Sequence, residues 1–179
     1  TENSQLSTRG EAAGVIGYGS IFAEKSLPGQ LNRLSVGVDY VPYALDSETS
    51  EDNRLDETTT TTGAAVTNSV RLEFEHLLTA YLSLNVTDNL YIKAGMTQVD
   101  VNTQESLGTG SAYGNTSLDG TVYGVGYNYD SDNGMFFRVE GNVMEFDGAS
   151  LTSTTNADNS VTMSELNGVS GKVSIGKSF

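Results

Sequence analysis

Val70-Arg71-Leu72-Glu73-Phe74-Glu75-His76-Leu77-Leu78-Thr79-Ala80-Tyr81-Leu82-Ser83-Leu84-Asn85 decides the fold. Val70, Leu72, Phe74, His76, Leu78, Ala80, Leu82 and Leu84 share one parity. Arg71, Glu73, Glu75, Leu77, Thr79, Tyr81, Ser83 and Asn85 share the other. Period two belongs to a strand with two unlike faces, because a helix repeats every 3.6 residues. Sixteen alternating residues are long for a soluble strand, which averages about five or six.

Other segments alternate too. Residues 34–45 place Leu34, Val36, Val38 and Tyr40 against Ser35, Gly37 and Asp39. Residues 90–101 place Leu90, Ile92, Ala94 and Met96 against Tyr91, Lys93, Gly95 and Thr97, with a change of phase near Gln98 and Val99 that predicts a bulge there. Residues 121–129 place Tyr123, Val125, Tyr127 and Tyr129 against Gly124, Gly126 and Asn128. Residues 135–146 place Phe137, Val139 and Val143 against Arg138, Glu140 and Asn142. In residues 168–179, Val169, Val173, Ile175 and Phe179 oppose Ser170, Lys172, Ser174 and Ser178. A Gly-rich segment, 14–25, is a further strand whose facing the pattern leaves open. The total is seven strands.

Short and long connections take turns. Residues 25–33, 85–89 and 130–134 are short, and the last two carry turn chemistry in Thr87-Asp88-Asn89 and Asp132-Asn133-Gly134. Residues 46–68, 102–116 and 147–167 are long and rich in Thr, Ser, Asn, Asp and Gly. Such long loops are uncommon in compact domains. Short turns at one end and long loops at the other describe a membrane β-barrel, whose strands alternate over roughly ten residues. With Phe179 at the short-turn rim, every long loop falls outside, and the first visible strand runs downward from a polar lead, residues 1–13. A single-chain barrel begins with an upward strand and has an even strand number. The expectation is an all-β, antiparallel up-and-down transmembrane barrel, one domain over 1–179, with seven strands visible of eight.

Composition sets the bounds. The 179 residues include 20 Gly, 2 Pro and no Cys, with 23 acids against 9 bases and a net charge of −14. The absence of Cys removes disulfides and thiolate metal sites. The acidity argues against nucleic acid, whose phosphates call for Lys and Arg. No apolar run is long enough for a transmembrane helix. There is no initiator Met and no signal peptide, so a processed chain or a fragment is expected.

A narrow eight-stranded barrel is filled by its own side chains. Its inward parity carries Asp39, Glu73, Glu75 and Glu140 with Arg71, Lys93, Arg138 and Lys172, four acids and four bases. Buried charges need partners, so a lumen network of these eight is expected. The ending Lys172-Val173-Ser174-Ile175-Gly176-Lys177-Ser178-Phe179 resembles the C-terminal insertion signal of small bacterial outer-membrane barrels, the family of outer membrane proteins A, X and W. The architecture of the whole chain is similar to theirs. The resemblance implies the bacterial outer membrane as location, with lipid and the barrel-assembly machinery as partners and a monomeric state. Val173, Ile175 and Phe179 would form the insertion signal. The family has an aromatic third from the end, where this chain has Lys177, which can snorkel to the interface. No Trp is present for an aromatic girdle, and Tyr40, Tyr43, Tyr127, Tyr129 and Phe179 are its candidates.

Reactive chemistry is sparse. His76 is the sole histidine and sits on an apolar parity, which suits neither a metal site nor a triad. Gly108-Thr109-Gly110 and Gly124-Val125-Gly126 lack the context of a phosphate loop. Within a strand, Gly124 and Gly126 are expected to make room for bulky inward neighbours. Acids crowd residues 46–57 without the calcium-loop pattern, and with the threonine run 58–62 they read as a solvated loop. No enzyme, cofactor or metal is expected. The expected role is structural or surface-exposed, with at most a narrow pore. Two rivals share the alternation: a soluble lipocalin-like carrier, which would turn its apolar side inward, and a loop-driven adhesin or receptor on the same barrel.

Overall fold

The computed structural model describes residues 18–46, 50–55, 65–106, 112–155, 157 and 160–178. The lead 1–13, the threonine run 58–62, the glycines of 108–110 and Phe179 lie outside the described residues. The strands are β1 (Ile21–Ser26), β2 (Leu34–Tyr40), β3 (Leu45–Asp46), β4 (Ser50–Leu55), β5 (Ala65–Asn85), β6 (Leu90–Ser106), β7 (Thr116–Asp130), β8 (Met135–Phe146), β9 (Ala149–Thr152), β10 (Ser160–Met163) and β11 (Leu166–Lys177). A 3-10 turn, Gly29–Leu31, lies between β1 and β2. β1, β2, β5, β6, β7, β8 and β11 pair in that order, each antiparallel to the next. This seven-strand path curls into a half-barrel.

The turn end is built by local hydrogen bonds. Thr87 Oγ1 accepts from the amides of Asn89 and Leu90 at 3.3 and 2.9 Å. Asn133 Oδ1 accepts from the Met135 amide at 2.9 Å, and Gly134 takes φ +80°, open to glycine without strain. The Ser178 amide donates to Gly134 O at 2.9 Å, which ties the end of β11 to this turn.

Alternation survives in every long strand, but not in one phase. β5 and β6 pair in one register up to Glu75↔Asp100 and in another from Leu78↔Gln98. The extra residue lies in β5, where His76 takes φ 54°, and a bulge of this kind shifts the pleat by one. Below it Leu77, Thr79, Tyr81 and Ser83 point inward, and Leu78, Leu82 and Leu84 are exposed outside. Above it Leu72 and Phe74 pack inward. The single-phase reading of residues 70–85 is therefore corrected. Arg71, Glu73 and Glu75 fall on the outer face, not in the lumen. The bulge expected near Gln98 and Val99 sits in the partner strand instead. β6 keeps one phase, with Tyr91, Lys93, Thr97, Val99 and Val101 all buried. What changes at Gln98 is the chemistry of the faces.

Two further expectations change. β2 stops at Tyr40, and Pro42, which has no amide to donate, comes two residues later. The long connections also carry structure. β3 and β4 pair with the upper part of β5, so residues 50–55 are strand rather than solvated loop. β9 and β10 form a hairpin. Thr154 donates its amide to Ala112 O at 2.7 Å, and the Ala112 amide donates to Thr155 Oγ1 at 3.3 Å, which joins the connection after β6 to the one after β8.

The interior has two zones. At the loop end Val41, Leu45, Leu77, Val99, Val101, Leu118 and Phe146 form an apolar cluster. Toward the turn end the interior is charged and aromatic.

Candidate functional site

The charged zone is assembled from five strands. Lys93 of β6 forms an ion pair with Glu140 of β8, and both residues are at most 6% exposed. Arg138, one inward position below Glu140, reaches across the interior to Glu24 of β1. Its two terminal nitrogens donate to the two carboxylate oxygens at 3.1 and 3.2 Å, the bidentate geometry that makes such pairs strong. Arg138 Nε donates to Asn128 Oδ1 at 2.7 Å. Tyr81 OH donates to Glu24 Oε2 at 3.0 Å. Lys172 of β11 pairs with Asp39 of β2.

Aromatic rings fill the space between the charges. The Arg138 guanidinium lies 4.8 Å from the Tyr91 ring centre, 5.2 Å from that of Phe22 and 5.4 Å from that of Phe136. Lys93 Nζ lies 4.9 Å from the Tyr81 ring centre. Such contacts favour a desolvated cation. Glycines let the two tyrosines lie flat across the sheet. A Cβ at Gly37 would overlap the Tyr81 ring, and one at Gly126 would overlap the Tyr91 ring. Gly126 thus makes room for a bulky inward neighbour.

Of the eight residues expected in the lumen, the structure brings Asp39 to Lys172 and Lys93 to Glu140, and places Arg138 beside them. Arg71, Glu73 and Glu75 are elsewhere, and Glu75 accepts from Asn102 Nδ2 at 2.6 Å on the outer face. Glu24 is the residue that sequence reasoning missed, because the facing of 14–25 was open. Charge balance is the signal that could have found it. Without Arg71, Glu73 and Glu75, three bases face two acids, and Glu24 makes the buried set three and three. Val173 and Ile175 lie on the exposed outer face, and Phe179 lies outside the described residues.

Between the two zones a cavity of about 20 Å³ is lined by Val41, Leu77, Lys93, Val122, Asn142 and Lys172, among others. That is room for about one water.

The outer face at the level of the ion pairs is largely apolar across the seven strands of the path, with the exposed Lys25 of β1, opposite Val36, as a charged exception. Ile21, Val36, Val38, Leu82, Ile92, Met96, Tyr123, Val125, Phe137, Val139, Val143, Val169, Val173 and Ile175 are all exposed there, Met96 at 75% and Val169 at 86%. Monomeric soluble proteins rarely expose contiguous apolar patches beyond a few hundred Å². Tyr127 and Tyr129 stand at the turn-end edge of this band, Tyr40 and Tyr43 at its loop-end edge.

Above the band the outer face is polar. Asp100 accepts from Ser117 Oγ at 2.6 Å and lies 3.2 Å from His76 Nδ1. The Ser117 hydrogen bond, with His76 adding to it, holds its carboxyl below the usual range. The carboxylate stands between Ser117 and His76, so the imidazole is not placed to take the Ser117 proton. Among the described residues no group of His, Asp and Glu is arranged to hold a metal. Compared with known protein families, with curated proteins and with solved structures, the chain matches none.

Proposed function

We propose that this chain is a bacterial outer-membrane β-barrel with a plugged lumen and a structural or surface-exposed role rather than a catalytic one. The single observation that carries it is the inversion of polarity. Ion pairs lie inside at the level where aliphatic and aromatic side chains lie outside. A lipocalin-like carrier needs the opposite arrangement. The apolar face of β8 from Met135 to Val143 rises about 27 Å along the strand. At a tilt of 35–45° that gives a band roughly 20 Å tall, a little under the roughly 25 Å of such barrels. The C-terminal resemblance to outer membrane proteins A, X and W agrees with this reading. It makes lipid the solvent of the outer face and the assembly machinery a transient partner, with a monomer as the final state.

An eighth strand belongs to the same proposal. β1 and β11 both run from the loop end to the turn end, so their free edges could pair only in parallel. One upward strand between them restores alternation and gives an even number. The ordered β3–β4 and β9–β10 extensions favour a second role on the same barrel, recognition at the loop end.

Membrane fractionation with heat-modifiable gel mobility is the test. The chain should sediment with outer membranes and shift in mobility on boiling. Recovery as a soluble, unshifted monomer would return weight to the carrier. In planar bilayers the interior should give little or no steady conductance, and a large stable pore would refute the plug.

A further inference from the structure

The gap between β1 and β11 specifies what fills it. We propose that it takes one upward strand whose inward residues are small (Gly, Ala or Ser) and whose outward residues are apolar. This rests on the barrel reading above and adds the side-chain pattern of the closing strand.

The width of the gap comes from contacts across it. Tyr18 OH lies 3.5 Å from Ser170 Oγ, and Lys172 Nζ lies 5.1 Å from the Phe22 ring centre. Neighbouring strands are about 4.8 Å apart, so one inserted strand separates its flanks by about 10 Å and two by about 14 Å. A tyrosine and a serine reaching toward each other span the first distance and fall short of the second. The direction comes from the flanks, which run the same way, so the insert must oppose both to make antiparallel ladders.

The inward pattern comes from what lies under the gap. Phe22 packs edge-on against Phe136 at 5.9 Å and under Lys172, beneath the gap. A large inward side chain would meet these rings. Ser20 Oγ and Ser174 Oγ, on the inward rows of the two flanks, are buried without a hydrogen-bond partner. A small residue leaves its own strand's backbone, or a serine hydroxyl, within reach of them. The outward pattern follows from continuity, since Ile21 and Ala23 on one flank and Val169, Val173 and Ile175 on the other are exposed, with Lys25 and Lys177 ending these rows at the turn end.

The test fuses designed ten-residue strands ahead of the chain through a flexible linker. All versions share Val and Leu at outward positions. One carries Ala and Ser inward, another Tyr and Met inward. In detergent micelles the small-inward fusion should give at least a threefold larger heat-modifiable fraction than the bulky one. Phe22→Ala should narrow that difference by admitting the bulky strand. Amide exchange should slow at the outer edges of β1 and β11 in the small-inward fusion only. Equal folding of both fusions, failure of both, or no response to Phe22→Ala would overturn the proposal. So would full edge protection in the unfused chain, as a monomer or as a dimer that uses a second copy as the insert. Repeating the exchange without detergent separates the two readings. A soluble fold with the same edge protection would overturn the membrane reading and leave the closing strand standing.

Discussion

Below the bulge in β5 the molecule is charged inside and apolar outside; above it, apolar inside and acidic outside. Lys93, Glu140, Arg138 and Glu24 occupy the lower interior, and Leu72, Phe74, Val101 and Phe146 the upper. Outside, Leu82, Ile92 and Val139 give way to Glu73, Glu75 and Asp100 on the same strands. The hydrophobic effect puts apolar surface away from water. On the proposed reading, a sheet that inverts its faces partway along its length is built for two solvents: the lower half is written for lipid and the upper half for water, and His76 marks the change.

The strongest way to break this contrast is to remove the bulge. Deleting His76 would shift residues 65–75 by one, turning Arg71, Glu73 and Glu75 inward and Leu72 and Phe74 out. Two large apolar residues at about 1.5–3 kcal/mol each put the loss near 3–6 kcal/mol. Amide exchange should show the upper halves of β5 and β6 opening while Tyr81 and Lys93 stay protected. Unchanged protection above the bulge would mean that the two phases are not fixed by it.

The next effect tests the lower interior. Lys93→Met should destabilise by about 3–5 kcal/mol in a urea titration, because it strands Glu140 without its ion partner. The double change Lys93→Met with Glu140→Leu should cost clearly less. Additive costs would show that the pair is not coupled.

The outer face sharpens the boundary. Leu82 lies near the middle of the band and Leu78 near its upper edge. In lipid vesicles Leu82→Arg should cost about 2–4 kcal/mol and Leu78→Arg about 0–1. Spin labels at Leu82 and Ser83 should differ in access to a lipid-soluble quencher. Equal access would remove the distinction between the faces.

The smallest effect concerns the polar upper belt. The Asp100 carboxyl sits below its usual range, so its contribution to stability is present above the usual carboxylate pKa and fades as pH falls through the lowered value. Ser117→Ala should move its midpoint up toward the ordinary value, since the Ser117 hydrogen bond is the largest single cause of the lowering, and His76→Asn should move it in the same direction. Carboxyl chemical shifts would read this. An unmoved midpoint in Ser117→Ala would place the cause elsewhere.

The parts of this contrast differed in how legible they were. Strand periods and both tight turns stand in the sequence, because alternation and the turn chemistry of Thr87-Asp88-Asn89 and Asp132-Asn133-Gly134 are local. The antiparallel order follows from connection lengths. The bulge is silent, because His76 and Leu77 continue an apolar run on either parity, and only the register with β6 counts the extra residue. Glu24 is silent for a similar reason. Its partner Arg138 is 114 residues away, and the Gly-rich segment before it carries little facing signal. The ordered loop-end strands also escape a sequence reading, since residues 50–55 are strand only because β5 runs on far enough to pair with them.

The hydrogen bonds between Ala112 and Thr154 and Thr155 have a consequence for molecular recognition. They unite stretches 42 and 43 residues apart into one exterior patch. An antibody raised against the folded protein at this place would read a discontinuous epitope. Synthetic peptides copied from either stretch alone would compete poorly for it, and a substitution in one connection would change how the other is seen.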